Sequence, residues 1–387
     1  MIAASSTQTD EQRAVASAIA FKLASLGLSA KFAEPISVGP IVSVYRFTPV
    51  GSTRVANIEA LAQDFAIALG VEDVFVKRMP GEVAVGIFVP NRQRSWVKWR
   101  DCVGPQALNQ QSLCRVPLLL GIDYLGRRVV EDLTLFPHLL IAGSTGSGKS
   151  TLLSSIIATV IYVNKSEDIK FVLSDTTGVE WGHFVGAPHL LFEPATNIYQ
   201  TLERLDWLIE IMESRLKELS KYGLRNILEY NAESDRHQLH RKGVSSQKLP
   251  YIILIIDELS DLLADRRREN ESRSPTLGKV AEAKLCQLAQ KARKTGIHII
   301  ASTQRPSVKL VQGDIKANFP ARLSFRLPSG ADSRTVLGTE GAEHLLSRGD
   351  MLFINPNKPG LQRLHAAEAS LEDIQAAVDV ASRKEAT

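Results

Sequence analysis

The stretch that decides the fold reads Leu139-Leu140-Ile141-Ala142-Gly143-Ser144-Thr145-Gly146-Ser147-Gly148-Lys149-Ser150-Thr151. It contains the pattern G-x-x-x-x-G-K-S, which begins at Gly143. The apolar run before the pattern predicts a buried strand, and the apolar spacing over 151–163 predicts a helix after it. Strand, glycine-rich loop and helix in this order indicate a P-loop rather than an ordinary Gly/Ser-rich turn, because loop N–H groups and the positive end of a helix together surround a phosphate.

The P-loop predicts a site for a nucleoside triphosphate and Mg²⁺. All nine residues of 143–151 are expected to contact the nucleotide. Lys149 is expected to reach the β- and γ-phosphates, and the Ser150 hydroxyl to bind Mg²⁺.

A second motif follows the apolar run Tyr251–Ile256, which has the composition of a parallel strand buried on both faces. Asp257 and Glu258 come directly after it, at the end of the strand where open α/β sheets bind ligands. We expect Asp257 to hold Mg²⁺ and Glu258 to polarise the attacking water. A buried strand with a capping acid is the alternative for this run alone. The P-loop about a hundred residues upstream strengthens the functional interpretation. The Asp-Glu pair favours ATP hydrolysis over a kinase role, because a kinase would also need a site for a second substrate.

A third strand, Ile297–Ser302, is followed by Thr303 and Gln304. Either side chain could hydrogen-bond the γ-phosphate or the lytic water, and a cap at the strand end is an equal alternative; Gln304 is the catalytic candidate. His298 is expected to be a packed core residue. Between the second and third strands, the spacing predicts a helix over 281–295.

Composition limits the other function classes. The 46 Lys and Arg residues against 42 Asp and Glu residues give a net charge of +4, so a nucleic-acid surface must be local. Three cysteines without metal-ligand spacing predict reduced thiols. The N-terminus lacks an apolar signal region, and no apolar run approaches the roughly 18 residues of a membrane span. These features predict a cytoplasmic protein without direct membrane insertion.

Pattern changes along the chain predict an α/β protein in four parts: a disordered tail over 1–10, an α+β unit with linking strands over 11–132, a P-loop domain over 133–365, and a C-terminal helix and tail over 366–387. The expected elements of the second part are a helix over 11–28, the strand Ile41–Phe47, a helix over 58–69, the strand Val83–Val89, and a hairpin of Leu118–Ile122 with Arg128–Val130.

One charged stretch and two arginines of the P-loop domain have further predicted roles. The mixed-charge stretch 265–275 is predicted to be a solvated loop, with a DNA-binding patch as the less favoured alternative. Arg334 and Arg348 are expected to be surface ion-pair partners.

The chain also carries a series of short segments of distinctive composition. They are Pro137-His138-Leu139-Leu140, Gly223-Leu224-Arg225-Asn226, Tyr230-Asn231, Asp257-Glu258, Asp261-Leu262, Ala289-Gln290-Lys291-Ala292-Arg293, Gly296-Ile297-His298, Thr303-Gln304-Arg305-Pro306-Ser307, Ile315-Lys316-Ala317-Asn318, Asp332-Ser333-Arg334-Thr335 and Gly349-Asp350-Met351-Leu352. Together with the P-loop, over roughly residues 25–375, their order and spacing resemble the motor domain of the FtsK/SpoIIIE family of double-stranded DNA translocases.

The resemblance implies a RecA-like motor domain with a small N-terminal subdomain stacked on it. It further implies a homohexameric ring, with duplex DNA in its channel and ATP at the subunit interfaces. By position, Arg293 resembles the arginine finger supplied to a neighbour's ATP. Arg305 and Lys316 resemble channel-loop residues that contact DNA phosphates, and Arg225 resembles a residue of a second such loop. Phosphate contacts of this kind are independent of sequence.

Three departures from the family pattern accompany the resemblance. Ser174-Asp175-Thr176-Thr177 stands where the family has Asp-Pro-Lys. The membrane spans and the winged-helix domain of the family have no counterpart in this sequence, so we expect a separate protein to recruit the motor. The leading hypothesis is an ATP-driven duplex DNA translocase that moves chromosomal, plasmid, phage or integrative-element DNA. A DNA-clamping or assembly ATPase and a HerA-like helicase are the alternatives.

Overall fold

The computed structural model describes residues 6–79, 81–104, 114–235, 247–264, 275–306 and 314–385. Within these ranges the strands form two sheets, one of four strands and one of nine. The first five residues of the expected tail and residues 265–274 of the expected solvated loop lie outside the described residues.

The N-terminal unit is an antiparallel sheet in the order β1-β2-β4-β3 with helices on one face. Its elements are α1 Ser6–Ser25, β1 Ala30–Val38, β2 Val42–Pro49, α2 Val55–Glu59, α3 Ala62–Leu69, β3 Phe75–Arg78 and β4 Val85–Pro90. Alternate strand residues face the helices, so Phe47 and Ile87 pack with Ile19 of α1 and Phe65 of α3 in one core.

Two expectations for this unit need correction. Residues 6–10, expected to be disordered, form the first turns of α1, because this segment contains no Gly or Pro that would end a helix. The single helix expected over 58–69 is two helices, since the backbone at Leu61 leaves helical geometry (φ −90°, ψ 13°). This break lets Ile58 and Phe65 both reach the core.

The centre of the large sheet is parallel and almost entirely buried, as the apolar runs predicted. Its strands are β7 His138–Ala142, β8 Ile169–Ser174, β9 Tyr251–Ile256, β10 Ile297–Thr303 and β11 Ala321–Phe325, in the order β11-β7-β10-β9-β8. Helices cover both faces: α5 Lys149–Val163 and α12 Leu371–Glu385 on one, α6 Ile198–Tyr222 and α9 Leu277–Lys291 on the other. Each fully buried isoleucine of β9 contributes about 2–3 kcal/mol to this double-sided core.

An antiparallel extension continues the sheet beyond β11. It consists of β12 Asp350–Ile354, β13 Leu361–His365, β5 Pro117–Asp123 and β6 Arg128–Asp132, which give the order β6-β5-β13-β12-β11. The expected hairpin is therefore present as β5 and β6. These two strands, expected to link the N-terminal unit to the P-loop domain, instead form the edge of the large sheet, because β13 pairs with β5.

The remaining helices are short: α4 Trp99–Cys102, α7 Ile227–Asp235, α8 Leu259–Leu262, α10 Asp314–Asn318 and α11 Gly330–Leu337. The helix expected over 281–295 is α9 followed by a 3₁₀ turn, Ala292–Thr295. A mixed hydrophobic cluster joins the two units, with Phe75 and Phe88 packed near Val336 and Leu352. No helix in the described ranges combines the length and apolarity needed to cross a bilayer.

Candidate nucleotide site

The parallel strands β7, β10 and β9 bring the predicted motifs together at one edge of the sheet. Thr303 at the end of β10 pairs with Ala142 at the end of β7, and Ala301 pairs with Ile256 at the end of β9. The P-loop, Gln304 and the acids therefore follow three adjacent strand ends. This is the carboxyl edge, where open α/β sheets bind their ligands.

The P-loop has the geometry of a phosphate cradle. Gly146 and Gly148 have φ angles of 72° and 114°, which disfavour any residue with a Cβ atom. A Cβ at Gly143 would lie 2.7 Å from Phe325 Cβ, so this glycine is needed for close packing. The buried hydroxyl of Ser147 has no hydrogen-bond partner among the described residues. Since α5 begins at Lys149, its positive end points into the same cleft.

Lys149 and Asp257 carry opposite charges in a buried environment. Burial lowers the pKa of Lys149, while the charges of Asp257, Glu258 and Glu180 oppose that effect. Burial raises the pKa of Asp257 to about 6, against the opposing influence of Lys149. Within the part of the chain that the structure describes, Asp257 Oδ1 is buried without a hydrogen-bond partner. An orphaned carboxylate oxygen beside the P-loop fits the oxygen ligands that Mg²⁺ prefers, so Asp257 and Ser150 suit the predicted metal role.

Glu258 is held in place by four hydrogen bonds. Its Oε1 accepts from the Thr303 hydroxyl (2.8 Å), the Ser260 hydroxyl (2.6 Å) and the Ser260 N–H (3.1 Å). Its Oε2 accepts from the Gln304 N–H (2.8 Å). Thr303 therefore helps to orient the Glu258 carboxylate. The Gln304 side chain accepts a hydrogen bond from the Thr145 hydroxyl of the P-loop (2.6 Å).

The sequence reasoning missed Glu180, which lines the nucleotide cleft. It is placed by Asp175, whose carboxylate accepts N–H groups from Thr177, Val179 and Glu180 itself. This polar turn follows β8, where the sequence departs from the Asp-Pro-Lys pattern of the family that it resembles. The charge of Glu180 contributes to the raised pKa of Asp257. An Asp-Thr-Thr-Gly turn signal directly after a buried strand is the feature that could have indicated it.

Arg348 was also missed, because we expected it to be a surface ion-pair partner. It lines the cleft, in the left-handed conformation (φ 62°) that non-glycine residues rarely adopt. The next residue, Gly349, donates its N–H to the Ser147 carbonyl oxygen (2.9 Å), so this strained turn braces the P-loop. Arg334, by contrast, is paired with Glu340, as expected.

Arg293 lies far from this cleft. It is exposed in the 3₁₀ turn before β10, at the amino edge of the sheet. The seven residues of β10 span about 20 Å, so Arg293 cannot reach the P-loop of its own chain. It lines a second cavity, of about 790 Å³, together with Arg225. Buried His298 also lines this cavity and donates from Nδ1 to the Pro137 carbonyl oxygen (2.9 Å), in keeping with its expected packing role.

The three predicted DNA-contact residues belong to separate elements or segments of the chain. Arg305 is exposed just beyond β10, and the segment 307–313 after it lies outside the described residues. Lys316 in α10 donates to the Thr335 carbonyl oxygen (2.9 Å). Arg225 is exposed and forms an ion pair with Glu229 (2.6 Å).

The P-loop lies at the carboxyl edge of the sheet and contains Lys149. Asp257 and Glu258 follow β9, the second strand from β7. Together these features define the class of RecA-like P-loop nucleoside triphosphatases. Comparison with known families places the chain more narrowly. Residues 105–308 match the FtsK/SpoIIIE family, and residues 2–91 match the FtsK alpha domain. The chain belongs to the FtsK/SpoIIIE family.

Curated relatives agree with this assignment. The chain is 38% identical over 364 residues to DNA translocase FtsK of Lactococcus lactis subsp. cremoris (strain MG1363), covering 92% of this chain and 45% of that protein. It is 35% identical over 352 residues to DNA translocase FtsK of Rickettsia prowazekii (strain Madrid E), covering 85% of this chain and 46% of that protein. The chain thus spans a little under half the length of these relatives.

Solved structures share the fold. The conjugation coupling protein TcpA of pCW3, solved as a monomer with ATPγS, is 21% identical with a TM-score of 0.65, over 96% of this chain and 99% of that chain. The cytoplasmic domain of the type VII secretion ATPase EccC of Thermomonospora curvata is 22% identical with a TM-score of 0.55, over 69% of this chain and 31% of that chain.

Proposed function

We propose that the chain is the ATPase motor of a DNA translocase, acting as a homohexameric ring around duplex DNA. The observation that carries the proposal is the meeting of Lys149, Asp257 and Glu258 at one sheet edge, in a chain of the FtsK/SpoIIIE family. The relatives named DNA translocase support DNA as the substrate. The coupling protein solved with ATPγS supports ATP as the nucleotide that is hydrolysed.

The roles of the site residues follow from their positions. Lys149, in the first turn of α5, places its charge on the β- and γ-phosphates. Glu258, oriented by Thr303 and Ser260, polarises the attacking water. Mg²⁺, held by Ser150 and Asp257, would neutralise charge that develops on the phosphates.

The position of Arg293 supports an oligomer. An arginine on the amino edge cannot contact a nucleotide bound at the P-loop of its own chain. If the amino edge of one subunit packs against the carboxyl edge of a neighbour, Arg293 can contact the γ-phosphate of the neighbour's ATP. Arg293 thus serves as a finger in trans, and the cavity that it lines with Arg225 is the surface offered to the neighbour. A ring of identical subunits satisfies every such contact without an open end.

Arg305, Lys316 and Arg225 contact DNA phosphates in this proposal. Arginine and lysine contacts to phosphates carry no sequence information, so the motor moves along any duplex. A separate recruiting protein then sets target and direction. Single-molecule tracking on long DNA tests this point, since reversal at a fixed sequence with no other protein present would reveal a base-reading element in the chain.

Displacement of a triplex-forming strand tests the function itself. Wild-type protein with ATP should release the third strand from duplex DNA and leave a forked duplex paired, whereas Lys149→Ala should not release the third strand. DNA-stimulated hydrolysis without strand release would indicate a clamp or assembly ATPase. Unwinding of the fork would indicate a helicase instead.

A further inference from the structure

The nucleotide cleft extends to a side that the catalytic residues do not occupy. Its volume is about 460 Å³, and the residues on this side are Trp96, Arg348, His365 and Glu368. The sheet order explains the separation. From the P-loop strand β7, the strands with the acids and Gln304 lie in one direction, whereas β11, β12 and β13 lie in the other. Since the γ-phosphate must face the acids, the nucleoside must extend towards Trp96 and Glu368.

Backbone pairing builds this side of the cleft from two distant segments. The Glu368 N–H donates to the Val97 carbonyl oxygen, and the Trp99 N–H donates to the Glu368 carbonyl oxygen, both at 2.8 Å. The Ala366 N–H donates to the Gly349 carbonyl oxygen at 2.8 Å, which ties the same segment to the turn that braces the P-loop. Trp96 and Glu368 are therefore held beside the phosphate cradle by fixed backbone.

We propose that this part of the cleft is an adenine site, in which Trp96 is the stacking platform and Glu368 selects adenine over guanine. The inference rests on the proposed use of ATP and names the residues that read its base.

The surroundings of Trp96 suit a planar base. Its indole is 44% exposed although it lines a cleft, so a large apolar face remains open to a ligand. The Arg348 guanidinium lies 5.8 Å from the centre of the ring, and the His365 ring lies 5.8 Å away at 35°. Burial lowers the pKa of His365, which favours the uncharged form of this neighbouring ring. A base inserted here stacks on the indole in an environment already lined by flat groups.

Glu368 supplies the discrimination. This residue is exposed and lines the cleft. A carboxylate accepts hydrogen bonds, and adenine presents an amino group at the position where guanine presents a carbonyl oxygen. A carboxylate facing that position favours adenine and repels guanine. A glutamine in its place can donate to the guanine oxygen, so the selectivity should shrink.

Equilibrium binding separates base recognition from phosphate binding. Trp96→Ala should lower the affinity for Mg²⁺-ADP by about 5- to 150-fold, which is the effect of losing one base-aromatic stack. Inorganic tripolyphosphate, which has no base, should bind this variant as it binds wild type. Trp96→Phe should keep most of the ADP affinity, because phenylalanine also stacks. Glu368→Gln should reduce the preference for ADP over GDP at least tenfold.

Tryptophan fluorescence provides an independent readout. ADP should quench the tryptophan fluorescence of the wild type and of the control variant Trp207→Phe. In the wild type, the Trp207 indole lies in α6 and packs at right angles to Phe192. ADP should not quench Trp96→Phe. Equal losses for ADP and tripolyphosphate in Trp96→Ala would mean that the indole only supports the cleft, and unchanged ADP affinity would mean that it makes no contact; either result overturns the proposal. Should Trp96→Ala fail to fold, Trp96→Phe and Glu368→Gln still decide the question.

Failure of this inference is distinguishable from failure of the proposed function. Adenine selectivity is measured without DNA, and triplex displacement is measured on the same preparations. If the wild type selects adenine but does not displace the third strand, only the proposed motor function is refuted. If it displaces the third strand but does not select adenine through these residues, only the adenine site is refuted.

Discussion

Asp257 should destabilise the nucleotide-free protein at neutral pH, so Asp257→Asn should make it more stable. Burial raises the pKa of this carboxyl from an ordinary 3.8 to about 6. Because one pKa unit is about 1.4 kcal/mol, the ionised side chain lowers the free energy of unfolding by about 3 kcal/mol above pH 6. Asparagine keeps the shape and cannot ionise. With an unfolding entropy of roughly 2.1 cal/mol/K for each of 387 residues, the apparent Tm should rise by about 4 °C.

The pH dependence of this gain follows from the sign of the pKa change. A carboxyl whose pKa is raised on folding binds its proton more tightly in the folded state. The free energy of unfolding of the wild type therefore falls, relative to the variant, as pH rises from about 4 to about 6. The two proteins should have equal Tm below pH 4 and the full difference above pH 6. Buried His138 and His298, with pKa values lowered to about 3 and about 4, affect both proteins equally and cancel.

Scanning fluorimetry between pH 4 and pH 8 without nucleotide measures this difference. Asp373→Asn is the matched control with the opposite sign. Burial tends to raise the pKa of Asp373, but hydrogen bonds from Ser370 and Arg100 lower it overall. This variant should therefore lose stability above pH 4. An Asp257→Asn protein that is no more stable than wild type at pH 7.5 would refute the reasoning, because Lys149 would then compensate the buried charge completely.

Three further experiments test the proposed motor. Glu258→Gln should bind ATP and hydrolyse it at least a hundredfold more slowly, since the water loses its polariser; a wild-type rate in single-turnover assays contradicts that role. Arg293→Ala should reduce hydrolysis by roughly 10³-fold or more without weakening ATP binding, and mixing it with Lys149→Ala should restore part of the rate, since mixed interfaces pair an intact site with an intact finger; no rescue despite proven subunit exchange argues for a structural role. Arg305→Ala combined with Lys316→Ala should leave basal hydrolysis intact and reduce the slope of log K against log salt for duplex binding by about two; an unchanged slope excludes both residues from the DNA contact.

The nucleotide cradle could be predicted from the sequence because its chemistry is local. Gly143, Gly148 and Lys149 act within one loop between a strand and a helix, and the spacing of residues along the chain sets their geometry. Asp257 and Glu258 were predictable for a similar reason: six apolar residues before them require a buried strand, and a buried strand in an α/β sheet brings its carboxyl end to the ligand edge.

Other features depended on which strands are neighbours, and no local pattern records that order. Glu180, Arg348 and Glu368 reach the cleft only because β8, β12 and β13 lie where they do in the nine-stranded sheet. The same is true of Arg225 and Arg293, which are 68 positions apart in sequence and share one cavity at the amino edge. Residues within a loop are close in any fold that forms the loop, whereas residues on different strands become close only when long-range packing of the two buried faces has selected one sheet order.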